Sequence, residues 1–257
     1  MISVKTDLHT HTLASMHAYS TIEENLRNAA SLGLEAVGIA DHFSGLFYPS
    51  DDFGWYGSFT NYKALPPEWY GVRFLKGMEA DIVDLEGHLF GWDKKLPAFM
   101  PGVDVTYEEA LMPKMDYVIA SVHLRQFADN ASLAACTDMY LKVLEHPKVM
   151  ILGHIIRGGI PFDMDTVLNA VRDSGKMLEI NDGSFIYPEQ ITGGCRRVAE
   201  RCAELGVPIC VNSDAHSAYY VGRYTGSVEM LEAIHFPQDL IANRDLAALT
   251  PFLEARK

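Results

Sequence analysis

Short apolar runs alternate with amphipathic stretches along most of this chain. Residues 4–9, 36–41, 74–81, 117–122, 149–153, 177–181 and 208–212 are apolar runs of strand length, consistent with strands buried on both faces. Between them, residues 21–32, 133–145, 165–174 and 190–205 repeat apolar positions at helical spacing. The first of these opens with STIEE, in which Thr21 and Glu24 can cap each other's backbone amides, and it stops before Gly33. Strand alternating with helix predicts parallel strands joined by crossover helices, an α/β protein. The number of strands predicts a closed barrel rather than an open sheet.

Residues 43–74 break this rhythm. Eleven aromatic residues fall here, out of 12 Phe, 12 Tyr and 3 Trp in the whole chain. The runs YPSDDFGWYGSF and PPEWYG show neither a helix nor a strand period. The segment reads as a long excursion after the second strand. It is either a lid over a site or a surface flap packed by its own rings. No repeat, low-complexity tract or linker is visible, so residues 1–257 are expected to form one domain.

Composition narrows the class. The chain is 48% hydrophobic and 21% charged, as in ordinary globular proteins. Its first residues, MISVKTD, hold no signal-peptide core, and no run reaches the length of a membrane span. A soluble, cytoplasmic protein without a membrane partner is expected. A net charge of −13 without a Lys/Arg cluster opposes a nucleic acid polymer as partner. Cys136, Cys195, Cys202 and Cys210 form no CxxC pair and are expected to be reduced, mostly buried thiols.

The histidines are not spread evenly. DLHTHTLASMHAYST carries His9, His11 and His17 within nine residues, although the chain has only 10 histidines. His9 and His11 are two apart on a predicted strand and so share a face. His42 ends the second strand in ADH, and Glu79 stands at the end of the third in GMEAD. His123 follows the fourth, His154 the fifth, and Asp214 and His216 the last, in VNSDAH. In a barrel of parallel strands those ends form one rim, where active sites are built. Imidazole and carboxylate without thiolate suit zinc, manganese or iron. Nine donors exceed what one ion uses, so two or three dications are implied, with a carboxylate free to bridge. His88, His146 and His235 lack such a strand-end partnership and are expected to be ordinary. Asp7 and Asp41 are expected to orient histidines, to bind metal, or merely to end strands.

As an ordered set, DLHTHTLASMHAYST, GIADH, GMEAD, SVH, LGH and NSDAH resemble the motifs of the PHP superfamily, named for polymerase and histidinol phosphatase. HTLASMHAYST is most similar to the YcdX-type phosphatases. The resemblance implies a distorted (β/α)7 barrel with three zinc-type ions at the C-terminal rim of its strands. It implies that His9, His11, Glu79 and Asp214 hold one ion, and His17, His42 and His216 a second. Glu79, His123 and His154 would hold the third, with Glu79 bridging. The chain departs from the usual pattern in IIRGG after His154 and in SVHLRQF, beside the ligands.

Dications lower the pKa of water and offset charge on phosphoryl oxygens. The expected activity is therefore hydrolysis of a small phosphorylated metabolite, a phosphate monoester. The nucleophile would be a hydroxide bridged by metal near Glu79, with no side-chain nucleophile. NSDAH packs its residues too closely in sequence for a Ser-His-Asp relay, and no GK[ST] phosphate loop is present. Arg125, Arg157 and Arg223 each lie within seven residues of a proposed ligand and are candidates to grip phosphate. Four other readings compete: a histidinol-phosphatase-like enzyme, a nuclease-type PHP phosphodiesterase, a metal-dependent hydrolase of amides or lactones, and a metal-binding relic without activity.

Overall fold

The computed structural model describes residues 2–46, 56–96 and 104–257. Its strands are β1 (Thr6–Thr10), β2 (Ala36–Ile39), β3 (His42–Phe43), β4 (Glu68–Trp69), β5 (Val72–Lys76), β6 (Glu79–Asp81), β7 (Val118–Ser121), β8 (Val149–Leu152), β9 (Met177–Asn181) and β10 (Ile209–Asn212). The helices are α1 (Ile22–Ser31), α2 (Gly57–Thr60), α3 (Tyr107–Leu111), α4 (Leu133–Glu145), α5 (Met164–Asp173), α6 (Glu189–Leu205), α7 (Thr225–Ala233) and α8 (Leu246–Glu254). No described helix is long and apolar enough to cross a membrane.

Two ladders run β1-β2-β5-β4 and β10-β9-β8-β7-β6-β3. Every pairing is parallel except the β4–β5 hairpin. β3 follows β2 after two residues, and β6 follows β5 after two residues. Each couple is one bent stave: β2 pairs with β5 in the lower half, and β3 with β6 in the upper half. The circuit is thus a distorted seven-stave (β/α) barrel. Residues 74–81, read from sequence as one strand, are two. The break lies at Gly77, where a Cβ would stand 2.5 Å from the Tyr117 hydroxyl. Tyr117 is fully buried across the barrel interior and donates its hydroxyl to the Leu8 carbonyl. At Gly38, too, a side chain would overlap that hydroxyl.

The barrel floor is apolar, built from Leu8, Ala36, Leu75, Tyr117, Met150 and Met177, with Leu249 and Leu253 of α8 packed beneath. β9 shows the rule along one strand. Leu178 and Ile180 face the helical layer, while Met177, Glu179 and Asn181 point inward, apolar at the floor and polar towards the rim. The helices end where their caps dictate. Thr21 and Glu24 form a reciprocal capping box at α1, and Ser132 caps α4. Among the described residues, the structure adds the short α2 and α3, and α7 and α8, to the four helices expected from periodicity. All four cysteines are buried and unpaired.

β1 and β10 each stand at one edge of their ladders, and the barrel closes between them largely through side chains. Asn243 fills the gap. Its Oδ1 accepts from Val211 N at 2.9 Å, and its Nδ2 donates to Thr6 O at 2.9 Å and Val211 O at 2.7 Å. Asn212 Oδ1 accepts from Leu8 N at 2.9 Å. Above these, His11 N donates to Ala215 O at 2.8 Å.

The aromatic excursion divides in two. Residues 47–55 lie outside the described residues. Tyr56, Phe59 and Tyr62 are buried and pack edge-on in a chain from Phe43 to Phe74, with ring centroids 5.4–6.0 Å apart.

Candidate metal centre

The upper ends of β1, β3, β6, β7, β8 and β10, or the segments just after them, deliver histidines or carboxylates to one centre around Glu79, which is fully buried. His9 Nε2 lies 3.3 Å from Glu79 Oε2, and His42 Nδ1 lies 2.7 Å from the same oxygen. His154 Nε2 is 2.8 Å and His123 Nε2 3.5 Å from Oε1. His11 Nε2 sits 3.1 Å from Asp214 Oδ1 and 3.6 Å from Glu79 Oε2. The His17 ring packs 5.0 Å from that of His42 and 4.4 Å from that of His216. The nine residues expected from sequence as ligands thus surround one cleft. His17, His42, His123, Asp214 and His216 line it together with Arg157, Gly183, Ile186 and Tyr187, over a volume of about 370 Å³, while His9, His11, Glu79 and His154 are buried.

The imidazoles are oriented from behind. His9 Nδ1 is held by Glu179 at 2.7 Å, His123 Nδ1 by Asp81 at 2.5 Å, and His11 Nδ1 by Ser15 Oγ at 2.9 Å. His17 Nδ1 donates to Ser15 O and His216 Nδ1 to Asp214 O. With Nδ1 committed, the Nε2 atoms of His9, His11 and His123 turn inward to the carboxylates. This is the arrangement of metal-ligating histidine. His9 Nε2, Glu79 Oε2 and His216 Nε2 are buried yet form no hydrogen bond among the described residues. Among the described residues, three sets have donor atoms within 4.8 Å of one another: His9, His11 and Glu79; His11, His42 and His216; and His42, Glu79 and His123. Donors about 2.0–2.1 Å from a tetrahedral ion lie roughly 3.4 Å apart. The 3.1–3.6 Å contacts of His9 and His11 with Glu79 and Asp214 therefore fit donors of one divalent cation, and the 3.5 Å contact of His123 with Glu79 fits donors of another.

Electrostatics agree. Burial works against ionisation of Glu79 and Asp214, but the surrounding imidazoles, His9 foremost, hold both carboxyls well below their usual range. Burial pushes His11, His17, His154 and His216 down, keeping them in the neutral form that ligates metal. His9 is opposed by burial too, yet Glu179, Glu79 and Asp214 raise it well above the ordinary value. His154 and Asp214 both adopt positive φ, at 25° and 56°. Such backbone costs roughly 1–3 kcal/mol and persists only where neighbours over-determine it. Here Glu179 accepts from His154 N at 2.8 Å, and Arg157 and His11 fix the Asp214 carboxylate.

The supporting residues suggested by sequence differ in role. Asp41 accepts from Thr12 N, Thr12 Oγ1 and Ser15 Oγ, so it reaches His11 through Ser15. Asp7 touches no imidazole. It takes Ser213 N, Ser213 Oγ and Gly222 N, fixing the loop that carries Asp214. Of the three arginines, Arg157 lines the cleft. Arg223 donates to Tyr219 O and lies on the Tyr219 ring, and Arg125 lines a separate depression with Gly159, Ile160 and Pro161. His88 is bonded to Asp84, and His146 pairs with Glu108 at 3.4 Å. Sequence reasoning missed Glu179, Asp81, Ser15 and Asn181. Strand parity was an available signal for two of them. Asp81 stands two residues beyond Glu79, and Glu179 stands two before Asn181 on the same inward face.

Comparison with known proteins gives a consistent picture. The PHP domain model matches residues 7–183, and the PHP-associated model matches residues 193–243, which hold Asp214 and His216. A protein named probable phosphatase from Thermoanaerobacter sp. (strain X514) is 35% identical over 252 residues, 98% of this chain and 95% of its own length. A probable phosphatase of Caldanaerobacter subterraneus subsp. tengcongensis is also 35% identical, covering 98% of this chain and 91% of its own. Among solved structures, histidinol phosphate phosphatase from Lactococcus lactis subsp. lactis, complexed with zinc, L-histidinol and phosphate, shares the fold. It aligns with a TM-score of 0.57 at 18% identity, over 91% of this chain and 94% of that one. With the domain model spanning residues 7–183 and relatives aligned over nearly the full length, this chain belongs to the PHP domain family.

Proposed function

We propose that this protein is a metal-dependent phosphatase that hydrolyses small phosphate monoesters at a centre of three divalent ions. His9, His11, Glu79 and Asp214 hold the first ion, His17, His42 and His216 the second, and Glu79, His123 and His154 the third. Zinc suits this donor set best, and manganese or iron are served by the same atoms. The observation that carries the reading is the orientation of the histidines. Their Nδ1 atoms are taken by Glu179, Asp81 and Ser15, and Nε2 turns towards buried Glu79 and Asp214. Divalent ions there supply Lewis acidity, acidifying water and offsetting phosphoryl charge.

The chain's own residues do the rest. Glu79 presents Oε2 to His9, His11 and His42 and Oε1 to His123 and His154, so it would help to hold more than one ion. Arg157 offers a guanidinium at the cleft wall, where a phosphate gains charge-assisted bonds. Nearby hydroxyls are committed as donors: Ser121 to Glu79, Ser15 to Asp41 and Ser213 to Asp7. None of these is set up as a nucleophile, so water is the attacking group. Asp214 and His216 come from the PHP-associated segment and the other ligands from the PHP segment. The two segments therefore work as one domain. The names of the relatives and the zinc, histidinol and phosphate of the Lactococcus structure support a phosphate ester substrate.

The test is elemental analysis of purified protein combined with phosphate release from a panel of monoesters, histidinol phosphate included. More than two ions per chain is expected, with release abolished by a chelator and restored by zinc or manganese. Fewer than two ions, or no release from fully loaded protein, overturns the reading.

A further inference from the structure

Part of the cleft lining is apolar and exposed. Ile186 is 86% and Tyr187 46% exposed, and both line the cleft. Ile186 and Tyr187, adjacent in the chain, together make an exposed apolar patch at the edge of a polar cleft, and such patches mark ligand-binding grooves. The patch is not on a loose loop. Residues Asp182–Ile186 form a 3-10 turn directly after β9. Asp182 Oδ1 accepts from Ser227 N at 2.8 Å, tying the turn to α7. Phe185, between the exposed pair and the strand, packs on the core. Gly183 lets the turn approach the centre, since a Cβ there would lie 3.1 Å from Arg157 Nη1 and 3.4 Å from Asp214 Oδ2. The fold thus turns Phe185 inward and leaves the next two apolar side chains at the mouth.

The spacing relates this wall to the phosphate side. The Arg157 guanidinium carbon stands 6.0 Å from the Tyr187 ring centroid, and Arg157 Nη2 is 2.6 Å from Asp214. Tyr187 is therefore an immediate neighbour of the Arg157 guanidinium. Resting on the phosphatase reading above, we propose that the substrate's alcohol carries a planar apolar group. That group lies against Tyr187 and Ile186 while the phosphate sits beside Arg157. In the reaction, water oxygen forms the new P–O bond, the ester P–O bond breaks, and the alcohol leaves protonated.

The experiment compares 2-phenylethyl phosphate with ethyl phosphate, whose leaving alcohols have similar acidity, so that intrinsic reactivity does not set the ratio. In metal-loaded wild type, kcat/KM should favour the phenylethyl ester about tenfold, the scale of one well-packed ring. Tyr187→Ala and Ile186→Ala should each reduce that ratio several-fold, and Tyr187→Phe should keep it. A wild-type ratio near one, or a ratio in Tyr187→Ala equal to that of wild type, overturns the inference and leaves the phosphatase reading standing. Turnover of neither ester overturns the phosphatase reading itself.

Discussion

A histidine's role here is decided by what stands behind its ring. Glu179 is buried and accepts from His9 Nδ1, His154 N, Asn181 Nδ2 and Asn212 Nδ2. Glu179→Gln replaces an acceptor with a donor that faces other donors. Metal affinity, measured by competition with a chromophoric chelator, should fall about 10–100-fold, the usual effect of losing such a partner. Unchanged affinity would show that His9 needs no carboxylate behind it. For Arg157→Ala, loss of a charge-assisted bond predicts a rise in KM for a phosphomonoester of about tenfold or more. Arg157→Lys should recover part of it. Since Arg157 also holds Asp214 at 2.6 Å, metal content must be equal in both variants for the comparison to count. An unchanged KM removes Arg157 from the phosphate's contacts. That the nine expected ligands come together was legible because they fall within or after successive apolar runs, in order along the chain. Glu179 was not, because a lone carboxylate within MLEIN looks like an ordinary strand residue until its inward parity with Asn181 is noticed.

Among the elements, those governed by local rules were legible and those governed by distant rings were not. The limits of α4, residues 133–145, and of β9, residues 177–181, follow from the pattern alone, and Thr21 announces α1. The break between β5 and β6 depends on Tyr117, which reaches across the barrel from the start of β7. No pattern within residues 74–81 could announce it. α8 carries Pro251 inside it, which reads as a helix breaker. The Tyr117 contact gives a stability prediction. A methyl group at position 38 would overlap the Tyr117 hydroxyl, and overpacking of this kind costs roughly 1–3 kcal/mol. Gly38→Ala should lower Tm by several degrees in a thermal melt, at about 2–4 °C per kcal/mol for a chain of this class. Adding Tyr117→Phe should restore part of the loss, because it removes the atom in the way. If Gly38→Ala melts like wild type, the interior has slack that its packing does not suggest.

For the molecule as a whole, pH and chain closure matter most. Lys176 is buried below β9 and donates to His146 O at 2.7 Å. Burial, helped by Arg256, pushes its amine down to about 7. In the unfolded chain a lysine holds its proton up to about 10.4. Between those values the unfolded state binds more protons, so stability rises with pH across that window and is flat below it. Relative to Lys176→Met, wild type should gain Tm from pH 7 to pH 10. Parallel melting curves would mean that the amine stays charged in the fold. Closure has a different consequence. β1 carries His9 and leads into His11, β10 leads into Asp214 and His216, and these strands meet where Asn243 stands in for a backbone ladder. A cation shared by His9, His11 and Asp214 would rivet the two halves of that joint, making ion uptake and the cohesion of the chain's opening and closing strands a single linked equilibrium. Stripping the ions should then speed amide exchange in β1 and β10 far more than in β7 and β8, whereas uniform protection would mean that Asn243 alone is clasp enough.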